Sequence, residues 1–130
     1  IAGALGWMIV NPEWTKKPSL TYGNLETEAS GVAYNRKLAE GHDPDEVAGE
    51  IGVYLGIALS SLVSVLGLDL VVIGGGFGCF LGQPLVKTLE NMIAQCAAPH
   101  ASRHVQVRLS SLGVDAGIIG SAHAAEIEYH

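Results

Sequence analysis

The chain has 130 residues, nearly half of them apolar, with few aromatic residues and 17 glycines. That length allows one domain with a real core and hardly two, and the mixture suits an α/β domain with tight turns, not a disordered chain. The formal charge of −6, with Lys16, Lys17, Arg36, Lys37, Lys87, Arg103 and Arg108 scattered along the chain, argues against a nucleic-acid surface, which needs clustered cations.

Ala4 to Val10 reads as a short strand that stops at Asn11-Pro12, and residues 11 to 23 as a polar loop with two prolines. A first helix is expected over Leu25 to Glu40, ended by Gly41. The next has a clear start, with Asp43 as N-cap, Pro44 at the first helical position, and Asp45 and Glu46 in a capping-box-like first turn. It runs to Leu66 and stops at Gly67. Its uncharged run, Ile51 to Leu68, is long enough for a bilayer. Interior glycines and serines, acidic flanks and the lack of a basic anchor make it a buried helix instead, with no membrane partner. Gly52, Gly56, Ser60 and Ser64 recur four apart and permit close approach of another helix, from this chain or a second copy.

Asp69 to Ile73 is a β-branched run, the pattern of a strand buried on both faces. A helix over Leu81 to Ala97, a strand over His104 to Leu109 and a last helix over Asp115 to Ile127, with small residues Gly117, Gly120 and Ala122, complete the chain. This order predicts α/β architecture with parallel strands.

Gly74, Gly75 and Gly76 follow the buried run, where open α/β sheets bind ligands. The stretch matches neither a Walker loop nor a dinucleotide fingerprint, so a ligand loop and a plain strand-to-helix turn both stand. His100 and His104 are four apart, but Pro99 and the following strand argue against one helical face, and no metal site is expected. His42 and His130 fall at segment ends, and His123 at the edge of the last helix. Cys79 and Cys96 have no ligand spacing and read as reduced thiols of a cytoplasmic protein. Glu26 opens a helix, where an acid suits the dipole; it is either a first-turn stabiliser or a carboxylate that accepts sugar hydroxyls in a cleft. Glu28 on the same helix is the control, expected to point elsewhere.

Four segments, in order, resemble the ROK family of sugar kinases and repressors. Gly23 to Gly31, GNLETEASG, is similar to its GCLE…ASG segment, and Leu68 to Gly78, LDLVVIGGGFG, to its strand and glycine loop. Ser110 to Ala125 resembles its C-terminal helix, and Ala2 to Met8 its GEIGH segment. The resemblance implies an actin-like, ribonuclease-H-like lobe and ATP- and magnesium-dependent phosphorylation of a hexose. Gly74, Gly75 and Gly76 would lie by the adenosine and its phosphates, Glu26 would bind the sugar, and the helices would supply a homodimer contact. Two family side chains are replaced, the Glu by Ala4 and the His by Trp7, and the cysteines of the zinc loop are absent at Tyr22, Gly23 and Asn24, so no zinc is expected. The indole of Trp7 either stacks on a sugar or fills the space of the missing loop.

Family members are about twice this long. The resemblance implies that residues 1 to 130 are the C-terminal part of such a kinase, with its phosphate loop and general-base aspartate in a missing N-terminal lobe, so this chain holds no catalytic residue. A sugar-sensing or repressor-type member that binds without phosphorylating is the second reading, and an inert dimerisation module built on Gly52 to Ser64 the third.

Overall fold

The structure, a computed structural model, describes residues 3–19 and 21–128. Six α-helices and two strands are described: α1 (Asn24–Glu28), α2 (Gly31–Ala39), α3 (Pro44–Leu66), β1 (Leu70–Ile73), α4 (Gly75–Cys96), α5 (Pro99–Ser102), β2 (Gln106–Leu109) and α6 (Ala116–Glu128). The expected parallel element is present. β1 and β2 pair in parallel with Val71 opposite Val107, and α4 with α5 forms the crossover that parallel strands require.

α3 organises the rest, and its ends are set by its sequence. Asp43 Oδ1 accepts from the amides of Asp45 and Glu46, and Gly67 takes the left-handed conformation (φ 62°) that ends the helix. The small-residue stripe receives α4 of the same chain. A Cβ built on Gly56 would lie 2.5 Å from Met92 Cβ, and one on Gly52 would lie 2.9 Å from Thr88 Cγ2. Ser60 Oγ donates to the carbonyls of Gly56 and Met92, and Ser64 Oγ accepts from the amide of Ala98. The hydroxyls at the stripe therefore bond to backbone instead of lying unpaired between helices.

α3 is the one described helix long and apolar enough to cross a membrane, by length and composition only. Here its buried residues hold the fold together. Val63 joins Val71, Val107, Leu85, Leu89 and Ile93 in the core between sheet and helices; Ala58 meets Val10 and Leu25, and Val47 and Ile51 meet Tyr34. On its flank Lys37 pairs with Glu50 at 2.6 Å beside the Tyr54 ring. Burial first, then the carboxylates of Glu28 and Glu50, push the Tyr54 phenol above its ordinary value of 10.0.

Several expectations are corrected. Ala4 to Val10 is no strand: Leu5–Trp7 forms a 3₁₀ turn, and the Met8 carbonyl accepts from the Leu25 amide instead of from a neighbouring strand. The polar loop contains a second 3₁₀ turn, Pro12–Lys16, capped by the Asn11 side chain. The helix expected over Leu25 to Glu40 is two, because Ser30 is extended and its Oγ caps α2 at the Ala33 amide. The sheet is buried on one face only, since Leu70 and Val72 are exposed. α4 begins at Gly75, not Leu81, and bends at Gly82, which is non-helical two residues before Pro84. In α6 the small residues Gly117, Gly120 and Ala122 face solvent; His130 lies outside the described residues.

The N-terminal segment is held against α1 by backbone contact. A Cβ on Gly23 would stand 2.1 Å from the Gly6 carbonyl oxygen and 2.4 Å from Trp7 Cα, a collision that only backbone movement relieves.

Gly56→Ala is expected to destabilise the fold by about 1–3 kcal/mol through overpacking against Met92. Gly49→Ala in the same helix, where nothing lies within 4 Å of the added methyl, is expected to stabilise it by about 0.5–1 kcal/mol. Urea midpoints of the two variants check the contrast. Gly23→Ala should cost about 3 kcal/mol or more, read in the same way, because its neighbours are main-chain atoms. A raised folded-state pKa favours folding fully below the unfolded value and loses that contribution as pH rises through the folded value. The fold should therefore weaken above about pH 10, and Tyr54→Phe should weaken less over the same range when urea midpoints are compared.

Candidate functional site

α1 and α2 meet at an angle set by the extended residue Ser30, and the space they enclose is a cavity of about 430 Å³, within the range of small-molecule sites. Tyr22, Glu26, Thr27, Ser30, Asn35 and Arg36 supply its polar wall, and Gly31, Val32 and Ala33 the remainder.

A five-residue helix does not hold itself in water; α1 is fixed from outside. Asn24, fully buried, accepts the amides of Val10 and Asn11 on its Oδ1, both at 2.7 Å. Its Nδ2 is buried without a protein partner. Leu25 is buried against Val10 and Ala58, and Thr27 Oγ1 donates to the Gly23 carbonyl. With Asn24 and Leu25 turned inward, Glu26 faces outward into the cavity in the first turn. Gly6 lies beneath it: a methyl there would stand 3.3 Å from Glu26 Cβ and Oε2. Glu28 behaves as the control should, turned away and accepting from Asn11 Nδ2 at 2.8 Å.

Trp7 is 51% exposed and is not among the residues that line this cavity. Its backbone packs on Gly23. Tyr22 is the aromatic side chain of the wall. Arg36, Asn35 and Thr27 were missed by sequence reasoning. For Asn35 and Arg36 the signal is the register of α2, obscured when α1 and α2 are read as one continuous helix; Thr27 stands next to Glu26 on α1.

Gly74, Gly75 and Gly76 leave the carboxyl end of β1. Gly74 is extended, Gly75 has φ +75°, and all three are exposed. Nothing lies within 4 Å of a Cβ built on Gly75 or Gly76, so a ligand can approach this backbone freely. Gly78 serves packing instead, since a Cβ there would be 2.8 Å from Ile73 Cγ2 and its absence lets α4 sit close on β1. Between Gly76 and Gly78, Phe77 packs on Gly31, 3.4 Å from its would-be Cβ, with Tyr34 at 5.5 Å between ring centroids. The glycine loop and the back wall of the cavity thus share one aromatic contact.

Among the described residues no group of three or more His, Cys, Asp or Glu could hold a metal ion, and Cys79 and Cys96 are both free.

No protein-family model matches the chain. It is 35% identical over 125 residues to a glucokinase of Halalkalibacterium halodurans, a match that covers 92% of this chain and 38% of that protein. The chain therefore spans about two fifths of that relative's length. A relationship to a sugar kinase is supported at that level, over nearly all of the present chain.

Proposed function

We propose that the chain is the C-terminal part of an ATP- and magnesium-dependent hexose kinase of the ROK family, with an actin-like fold, working in the cytoplasm. The single observation that carries the reading is Glu26, a carboxylate with no ion pair among the described residues, presented to a cavity by a helix that turns Asn24 and Leu25 inward and engages Glu28 with Asn11. A carboxylate in that position accepts two or more hydroxyl hydrogen bonds, the chemistry that anchors a sugar. The glucokinase relative supports it over 92% of the chain.

Gly74, Gly75 and Gly76 fit the adenosine side of the nucleotide by their open backbone at a strand's carboxyl end. When bound, Mg-ATP supplies the phosphoryl group; these glycines bind and orient it through main-chain groups. The general base belongs to residues outside this chain. Two apolar surfaces favour a further lobe. The exposed sheet face carries Leu70 and Val72, and α6 exposes Ile118, Ile119 and Ile127, whereas parallel sheets and helices apolar all round are normally covered.

Ala4 and Trp7 favour a second reading, a sugar-sensing or repressor-type member, because two sugar-side groups of the family are replaced and the indole does not line the cavity. Homodimerisation remains part of the proposal, but through other surfaces than the Gly52 to Ser64 stripe, which α4 occupies. That occupancy also removes the basis of an inert module dimerising through the stripe.

Glu26→Gln is expected to weaken hexose binding by about 1–3 kcal/mol, measured by titration calorimetry over a hexose panel. An unchanged affinity would return Glu26 to a first-turn helix residue. Turnover of a hexose by the longer protein in a coupled assay supports the kinase; binding of sugar without turnover supports the sensor.

A further inference from the structure

Polar side chains alone do not tell a ring sugar from an open-chain polyol, because both offer hydroxyls that donate and accept. Glu26 accepts from such hydroxyls, and Asn35 and Arg36 on the facing helix donate to them. A pyranose differs in shape: its ring gathers C–H groups into a flat apolar face, with the hydroxyls at the edge. That face is matched by an aromatic ring, and Tyr22 is the only aromatic residue among those that line the cavity. Trp7, the other aromatic candidate for a sugar contact, does not line it.

Tyr22 is 56% exposed, so its ring is open to a ligand, yet its main chain is held on both sides. Ser19 Oγ accepts from the amides of Thr21 and Tyr22, both at 3.1 Å. Gly23, the next residue, is pressed on Gly6, where a Cβ would stand 2.1 Å from the carbonyl oxygen. Gly23 is also the N-cap of α1, so Tyr22 stands just outside the helix whose first turn carries Glu26. Platform and carboxylate are therefore referenced to the same clamped glycine. A tyrosine has two side-chain torsions to fix, so little freedom is lost when a ligand covers it. We propose that Tyr22 is the stacking platform of the cavity, covering the apolar face of a pyranose whose edge hydroxyls meet Glu26, so that the site selects ring sugars over open-chain polyols. The proposal rests on the reading of this cavity as the sugar site and adds the residue that reads the ring.

The test is calorimetric titration of the protein with glucose and with glucitol, its open-chain polyol, for the native sequence and for Tyr22→Ala, Tyr22→Phe, Trp7→Ala and Glu26→Gln. Glucose is expected to bind about ten-fold more tightly than glucitol, the size that covering one ring face supplies. Tyr22→Ala should collapse that ratio towards one by weakening glucose while glucitol affinity stays, which also shows that the cavity is intact. Tyr22→Phe and Trp7→Ala should preserve the ratio. Equal affinity of the native protein for the two ligands, or a ratio that survives Tyr22→Ala, would overturn the proposal. So would an equal loss of both ligands in Tyr22→Ala, which would make Tyr22 a structural residue. Glu26→Gln separates the two readings. If it leaves both affinities intact while the Tyr22-dependent ratio persists, the carboxylate contact has failed and the platform has not; if the native protein binds neither ligand, both have failed.

Discussion

Helices α3 and α4 run so close that at Gly56 one methyl group would fall 2.5 Å from Met92 Cβ, and the position of nearly everything else follows from that approach. α4 is the crossover between the two strands, so the face it presents to α3 also sets how Leu85, Leu89 and Ile93 meet Val71 and Val107. The opposite face of α3 carries Val47, Ile51 and Ala58, which hold α2 and α1. One helix thus references both the glycine loop and the cavity. Serines serve where a larger apolar residue would not fit, because their hydroxyls bond to carbonyls of α3 and α4 and to the Ala98 amide.

The cavity side is built on a different principle. α1 has too few residues to be a helix by propagation, and it buries Asn24 and Leu25 in place of a broad apolar face. Its rigidity comes from main-chain amides converging on one buried amide oxygen and from a glycine–glycine approach that no side chain permits. The polarity of the surrounding segment follows: Asn11 uses its backbone N–H on Asn24, its Oδ1 on the Glu13 amide and its Nδ2 on Glu28. With Glu28 so engaged and Asn24 turned inward, Glu26 is the acidic group of α1 left facing the cavity.

Much of this was legible from sequence where local chemistry determined it. Asp43, Pro44 and Gly67 bound α3 as their cap preferences dictate, and the four-residue period of small side chains announced a tight helix contact before its partner was known. The parallel element was legible too, because the helix between Asp69 to Ile73 and His104 to Leu109 has the length that a parallel crossover needs. Legibility failed where distant atoms decided. An apolar run such as Ala4 to Val10 looks like a strand, yet its backbone partners are the Asn24 side chain and the Leu25 amide. Ser30 could continue a helix or cap one; in the fold it caps α2, with Gly31 packed against Phe77. That single break also hid Arg36, whose position relative to Glu26 depends on the angle between two helices and not on their separation in sequence.

The cavity and the glycine loop differ in what a substitution can do to them. The cavity offers side-chain charges, so its chemistry changes when Glu26 or Arg36 changes while the backbone stays. The glycine loop offers main chain, so its chemistry depends on φ at Gly75 and on the space above Gly75 and Gly76. Phe77 connects them. It lies in the first turn after the glycines, packs on Gly31 of the cavity wall, and stands against Tyr34, which is buried with Val47 and Ile51 of α3. The separation between the carboxylate end and the glycine end is therefore fixed by aromatic packing on the central helix, and not by the loops that carry either surface.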